Sequence, residues 1–169
     1  MALRRALTSV SCILLVVSAL AQGNRGKAEL DTAAGAITID YGRPSLKGRD
    51  MLSRLQVGQY WRMGMNQATV LATPVDLSFG TVKVPKGSYS LWLKLAAQHK
   101  YELVVNSQTG QWGTQHDTSS DLCEVPLKEE SSQNPVEVFT IELSGAPEGG
   151  VFSLSWGSTV LSADFRFAK

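Results

Sequence analysis

"YSLWLKLAAQHKYELVV", residues 89–105, decides the fold class. Tyr89, Leu91, Leu93 and Leu95 fall on one face, with Ser90, Trp92 and Lys94 opposite, and Tyr101, Leu103 and Val105 resume the alternation. A period of two marks a strand with one buried face, because successive side chains of extended backbone point to opposite sides. The same alternation runs outward in both directions: Ile37, Ile39 and Tyr41; Val75, Leu77 and Phe79; Phe139, Ile141 and Leu143; Phe152, Leu154 and Trp156; Leu161, Ala163, Phe165 and Phe167. With Thr69–Ala72, Thr81–Val84 and Leu122–Leu127 added, about ten short strands fill residues 36–169. Turn residues punctuate them in "VPKGSY", "NSQTGQWG" and "GAPEGG". The pattern predicts an all-β, antiparallel β-sandwich with little helix, at most a turn or two over Arg49–Leu55. A closed β-barrel has the same periodicity and is the alternative.

Ahead of that domain the composition changes twice. Residues 1–21 carry Arg4 and Arg5, an apolar centre over Cys12–Val17 and a small-x-small end at Ala19-Leu20-Ala21, the pattern of a cleaved signal peptide. The apolar part is shorter than the roughly 20 residues a membrane span needs. Cleavage after Ala21 is expected, giving a secreted or periplasmic protein that begins near Gln22 and does not span the membrane. Residues 22–35, "QGNRGKAELDTAAG", read as a flexible lead-in. Arg4 and Arg5 leave with the signal, so 14 Lys and Arg remain of 16, against 15 Asp and Glu, a formal charge of −1. A near-neutral chain lacks the electrostatic footprint of a nucleic-acid or anionic-lipid binder. Cys123 is then the lone cysteine, and in "DLCEVPL" it shares a face with Val125 and Leu127, which predicts a buried thiol.

Signatures of chemistry are sparse. There is no Gly-rich run ending in Gly-Lys-Ser/Thr and no Gly-x-Ser-x-Gly elbow. His99 and His116 lie in turn regions without a partner at ligand spacing, so each is expected as a solvated loop residue, with no metal and no cofactor. Carboxylate pairs for hydrolysis exist in principle among Asp40, Asp76, Asp117, Asp121 and Glu124, with nothing to single one out.

Three segments break the alternation: "ITIDYGRPSLKGR" (37–49), "YWRMGMNQAT" (60–69) and "NSQTGQWGTQHD" (106–117). Together with "PKGSYSL", "NPVEVFTIEL" and "GGVFSLSW", in this order, they make residues 36–167 resemble the bacterial domain of unknown function 2911 family. That resemblance implies an exported all-β domain of uncharacterised activity, with "PKGSYSL" as a hairpin. Read physically, Pro44 and the glycines shape loops. Arg43, Lys47, Arg49 and Arg62 sit near aromatics and glycines, and an arginine fork suits carboxylate or phosphate.

Two uses of these residues compete. In one, Arg62 pairs internally with a carboxylate such as Asp40 and pins a loop. In the other, Arg43, Lys47, Arg49, Arg62, Asn66 and Gln111 grip an oxygen-rich ligand, with Trp61 or Trp112 as stacking platform. Trp92, on the polar side of its strand, is either exposed for contact or covered by a loop. The function expected first is a cell-envelope or extracellular binding module whose ligand is a carbohydrate, a peptide or another envelope component. A purely structural protein and a hydrolase are the alternatives, the latter requiring a deep pocket and a carboxyl group with a raised pKa.

Overall fold

Ten strands make up nearly all the regular structure of the computed structural model, which describes residues 24–168. They are β1 (Arg25–Thr32), β2 (Gly35–Gly42), β3 (Tyr60–Trp61), β4 (Thr69–Thr73), β5 (Leu77–Phe79), β6 (Val82–Val84), β7 (Gly87–Ala97), β8 (Lys100–Asn106), β9 (Asp121–Ala146) and β10 (Gly149–Phe167). All pairings are antiparallel, in the order β1-β2-β4-β7-β8-β9-β10-β5-β6, with β3 also on β7. The sheet is not closed. Its two ends fold over one another as a sandwich, and Ile37 and Ile39 of β2 share a core with Leu77 and Phe79 of β5 and with Phe152 and Phe165 of β10.

The period-two faces carry this core. Ile37, Ile39, Tyr41, Leu91, Leu93, Leu103, Val105, Phe139, Ile141, Phe152, Leu154 and Trp156 are all buried, while Leu143 is half-buried. Segments expected as separate strands run together. Leu122–Leu127 and Phe139–Leu143 are both parts of β9, and Phe152–Trp156 and Leu161–Phe167 are both parts of β10. The β9–β10 ladder breaks around Gly157, which has φ +60° and lies opposite Val136, while Thr159 already lies opposite Ser131. Residues 132–135 bulge out there, and such an insertion bends the ribbon sharply enough for one hairpin to serve both layers. The Arg49–Leu55 stretch is turns and bends without helix.

Two expectations need correction. The stretch expected as a flexible lead-in, 22–35, is a strand over most of its described residues: Arg25–Thr32 forms β1, in register with β2 from Arg25 opposite Gly42 to Thr32 opposite Gly35. Its signal was visible, because Arg25, Lys27, Glu29 and Asp31 alternate with Gly26, Ala28, Leu30 and Thr32. An edge strand rich in charge alternates as faithfully as an apolar one. The signal segment 1–21 lies outside the described residues. Likewise "PKGSYSL" is not a hairpin, since β6 pairs with β5 while β7 pairs with β4 and β8. It is a crossing between layers, anchored where Tyr89 Oη donates to the Pro85 carbonyl at 2.9 Å.

Where the sheet stays open, side chains take over. Tyr41 Oη donates to Ile141 O at 3.2 Å, and Arg43 donates to Phe139 O at 3.5 Å and to Thr140 Oγ1 at 3.4 Å. Both side chains cross beside Gly26 of β1, where a Cβ would sit 2.9 Å from the Tyr41 ring and against Arg43 Cδ. The carbonyls of β9 that no neighbouring strand reaches are thereby satisfied.

Candidate functional site

The three segments that break the alternation meet at one end of the β1–β2 ladder. Gly42 lies against the backbone of Met65, and a Cβ on Gly64 would come 2.7 Å from Gly42 O, so "YGRP" and "WRMGMNQ" touch main chain to main chain. "TGQWG" joins through an antiparallel bridge between Gln67 and Trp112. Ala68 N–H donates to Gln111 O at 3.1 Å, and Gly113 N–H donates to Asn66 O at 2.8 Å. Gly113 also abuts Arg62 Cδ, which a side chain at that position would displace. Only glycine permits such approaches. Met63 (φ 49°) and Asn66 (φ 64°) hold left-handed backbone on either side of Gly64, strain of the kind that clusters at ligand clamps.

Within this knot the named side chains divide. Arg43 points to β9, as described above. Trp61 stacks on Trp156, with ring centroids 5.3 Å apart and planes 12° from parallel, and meets Phe139 edge-on. Gln111 Nε2 donates to Ser90 Oγ at 2.9 Å, leaving its Oε1 buried without a partner. Those three are engaged in the fold.

Arg62, Asn66 and Trp112 remain outward. Arg62 is half-buried and donates once, from Nε to Gly64 O at 3.3 Å. It forms no ion pair among the described residues, so the internal pairing with Asp40 does not occur: Asp40 is held by Arg25. Asn66 is exposed and its amide makes no hydrogen bond among the described residues. Trp112 is 48% exposed. Lys47 and Arg49 are exposed in the loop before β3, bonded through their main chains alone among the described residues: Lys47 N–H to Glu137 Oε1 at 3.0 Å and Arg49 N–H to Leu46 O at 2.9 Å. Two surface grooves lie elsewhere, flanking the Ala146–Gly149 turn at the other end of β1–β2. Arg62, Asn66 and Trp112 form an open ledge, not a pocket.

A second polar layer, which sequence reasoning missed, covers the outer face of β7 and β8. Trp92 is buried, because the loop after β8 returns over it and lays His116 on its ring at 4.3 Å and 17°. Tyr60 meets the same imidazole edge-on at 4.5 Å. His116 Nε2 lies 2.8 Å from Asp121 Oδ1, which also accepts from Asn106 Nδ2 at 2.8 Å. His116 is thus a packed residue, not a solvated one, whereas His99 is exposed beside Glu129. No signal in local sequence joins residue 92 to 116. Asp117 Oδ atoms accept from Ser119 and Ser120, and those bonds hold its carboxyl below the usual range. Cys123 is half-buried opposite Val105, and burial pushes its thiol up.

Beside this stack Lys94 Nζ reaches Glu124 at 2.7 Å and Glu102 at 3.4 Å. The two carboxyls diverge. The bond from Lys94 holds Glu124 down, whereas burial, followed by the bond to Glu124, raises Glu102 despite the nearby ammonium. A carboxyl raised by folding stabilises the fold fully below its unfolded value, here 4.5, and that contribution is lost as pH rises through the folded value. Glu102→Gln should therefore gain thermal stability relative to the parent as pH rises from about 4 to about 7. Melting curves at both pH values check this, and a variant whose relative stability falls over that interval contradicts it.

A family model described as a protein of unknown function (DUF2911) matches residues 24–165, taking in β1 as well as the segments above. No curated protein and no solved structure matches.

Proposed function

The chain belongs to this family of proteins of unknown function, DUF2911, and we propose that it is an exported binding module of the cell envelope or extracellular space. Its ligand is an oxygen-rich carbohydrate or peptide, held on the Arg62–Asn66–Trp112 ledge. One observation carries the reading: Arg62 keeps its guanidinium free of any carboxylate among the described residues while lying against Gly113, next to the exposed Trp112. A planar fork beside an open aromatic face and an unbonded amide suits ligand carboxylates or hydroxyls. Export rests on the 1–21 segment alone. The engagement of Arg43, Trp61 and Gln111 in the fold supports the structural alternative for those three residues only. For a hydrolase, Glu102 has a raised carboxyl but lies in an ion cluster on a sheet face and lines none of the main grooves.

Trp112 reports on this site directly, since Trp92 and Trp156 are buried and Trp61 is stacked on Trp156. Titration with envelope oligosaccharides and short peptides should perturb tryptophan emission saturably for one class. Arg62→Lys should weaken that binding about tenfold or more, as loss of a charge-assisted bond does. Emission that no ligand perturbs, or an Arg62→Lys protein that binds like the parent, would overturn the proposal.

A further inference from the structure

The loop between β2 and β3 is the longest connection among the described residues and has no strand of its own beyond one bridge, Ser45 to Val138. Three turns succeed one another in it, closed by Arg49 N–H to Leu46 O at 2.9 Å, Leu55 N–H to Leu52 O at 3.1 Å and Gln59 N–H to Gln56 O at 2.9 Å. Its inner side is apolar: Leu52 is buried in the core, with Leu46 and Leu55 packed against that core. The outer side therefore presents the remaining residues to solvent. Met51 is 41% exposed and Val57 61%, two of the four large hydrophobics exposed among the described residues. In the same loop Lys47, Arg49 and Arg54 are exposed, and none of the three forms an ion pair among the described residues. Asp50, the one acid in the loop, is exposed and accepts from the backbone N–H groups of Leu52 and Ser53 at 3.1 Å, which leaves three cations against one carboxylate.

Long irregular loops pinned at their base are usually functional. Unpaired cations interleaved with exposed apolar side chains suit a surface that is anionic at its rim and hydrocarbon beneath. We propose that this loop docks the protein peripherally on a lipid bilayer containing anionic phospholipids, with Lys47, Arg49 and Arg54 on the headgroups and Met51 and Val57 in the interfacial zone. The near-neutral total charge does not oppose this, because attraction to a charged surface acts within about a Debye length, roughly 10 Å. A soluble polyanion would use the cations and leave Met51 and Val57 in water, so the apolar pair favours the bilayer.

Co-sedimentation of the chain beginning at Gln22, which retains every strand of the described residues, tests this with phosphatidylcholine vesicles made with and without phosphatidylglycerol. Binding should require phosphatidylglycerol and weaken with salt. Each cation removed should cost roughly fivefold, so the triple variant K47Q/R49Q/R54Q should lose on the order of a hundredfold. Met51→Ser with Val57→Ser should also weaken binding at unchanged charge. Circular dichroism verifies that the variants fold. Equal binding to uncharged vesicles, failure to bind phosphatidylglycerol vesicles, or a triple variant that sediments like the parent would each overturn the inference. Binding of soluble heparin without vesicle binding would overturn it in favour of a polyanion.

Discussion

Replacing Phe152 with alanine is expected to destabilise the domain by about 3–5 kcal/mol, the range for truncating a packed aromatic. Phe152 is 2% exposed and lies opposite Leu143 in the β9–β10 ladder. With Ile37, Ile39, Leu71, Leu77, Phe79, Leu91, Leu103 and Phe165, drawn from both layers, it lines a residual void of only about 10 Å³. Its lining is wholly apolar and offers water no partner, so the cavity left by truncation adds to the lost transfer free energy. Among the described residues there is no disulfide to compensate. Urea unfolding of the variant measures the effect. A loss below about half a kcal/mol, the range of surface substitutions, would mean that this face of β10 does not hold the layers together.

Gly42→Ala should cost about 2–3 kcal/mol, because the added methyl meets main chain rather than the end of a flexible side chain. Its Cβ would abut Met65 O and sit 2.6 Å from Met65 N, in a segment already strained at Met63, Gly64 and Asn66. The backbone that carries Arg62 and Asn66 would have to move away from β2, loosening the Gln67–Trp112 bridge and the bond from Gly113 N to Asn66 O. Increased acrylamide quenching of tryptophan would accompany the lower unfolding midpoint. A Gly42→Ala protein as stable as the parent would show that the segments do not depend on this approach.

Much of the fold was legible, because burial on one face writes a period of two into the sequence. Leu91, Leu93, Leu103, Phe152 and Leu154 sit where alternation puts them. β1 escaped notice because its alternation is of charge, with Ala28 its only buried hydrophobic side chain. The merging of paired segments into β9 and β10 was not legible, since continuity past the unpaired residues 132–135 depends on the flanking Ser131 and Val136 pairing with Thr159 and Gly157 further along the chain. The meeting of "YGRP", "WRMGMNQ" and "TGQWG" was anticipated from composition, but the direction of each side chain was not. Arg43 leaves for β9 and Trp61 for Trp156 because unsatisfied carbonyls and an aromatic core lie there. Trp92 is covered by a loop, one of the two alternatives its polar-face position left open, and the choice between them depends on tertiary structure that local sequence does not carry.

The most direct measurement is the urea unfolding midpoint of Arg62→Lys. Arg62 contributes one 3.3 Å bond to Gly64 O and the packing of its stem on Gly113. Lysine keeps the stem and the charge, so an arginine reserved for a ligand predicts a loss of no more than about 1 kcal/mol, the net worth of one hydrogen bond. A loss of about 3 kcal/mol or more, as when a buried charge network is broken, would make Arg62 a structural residue and contradict the binding ledge.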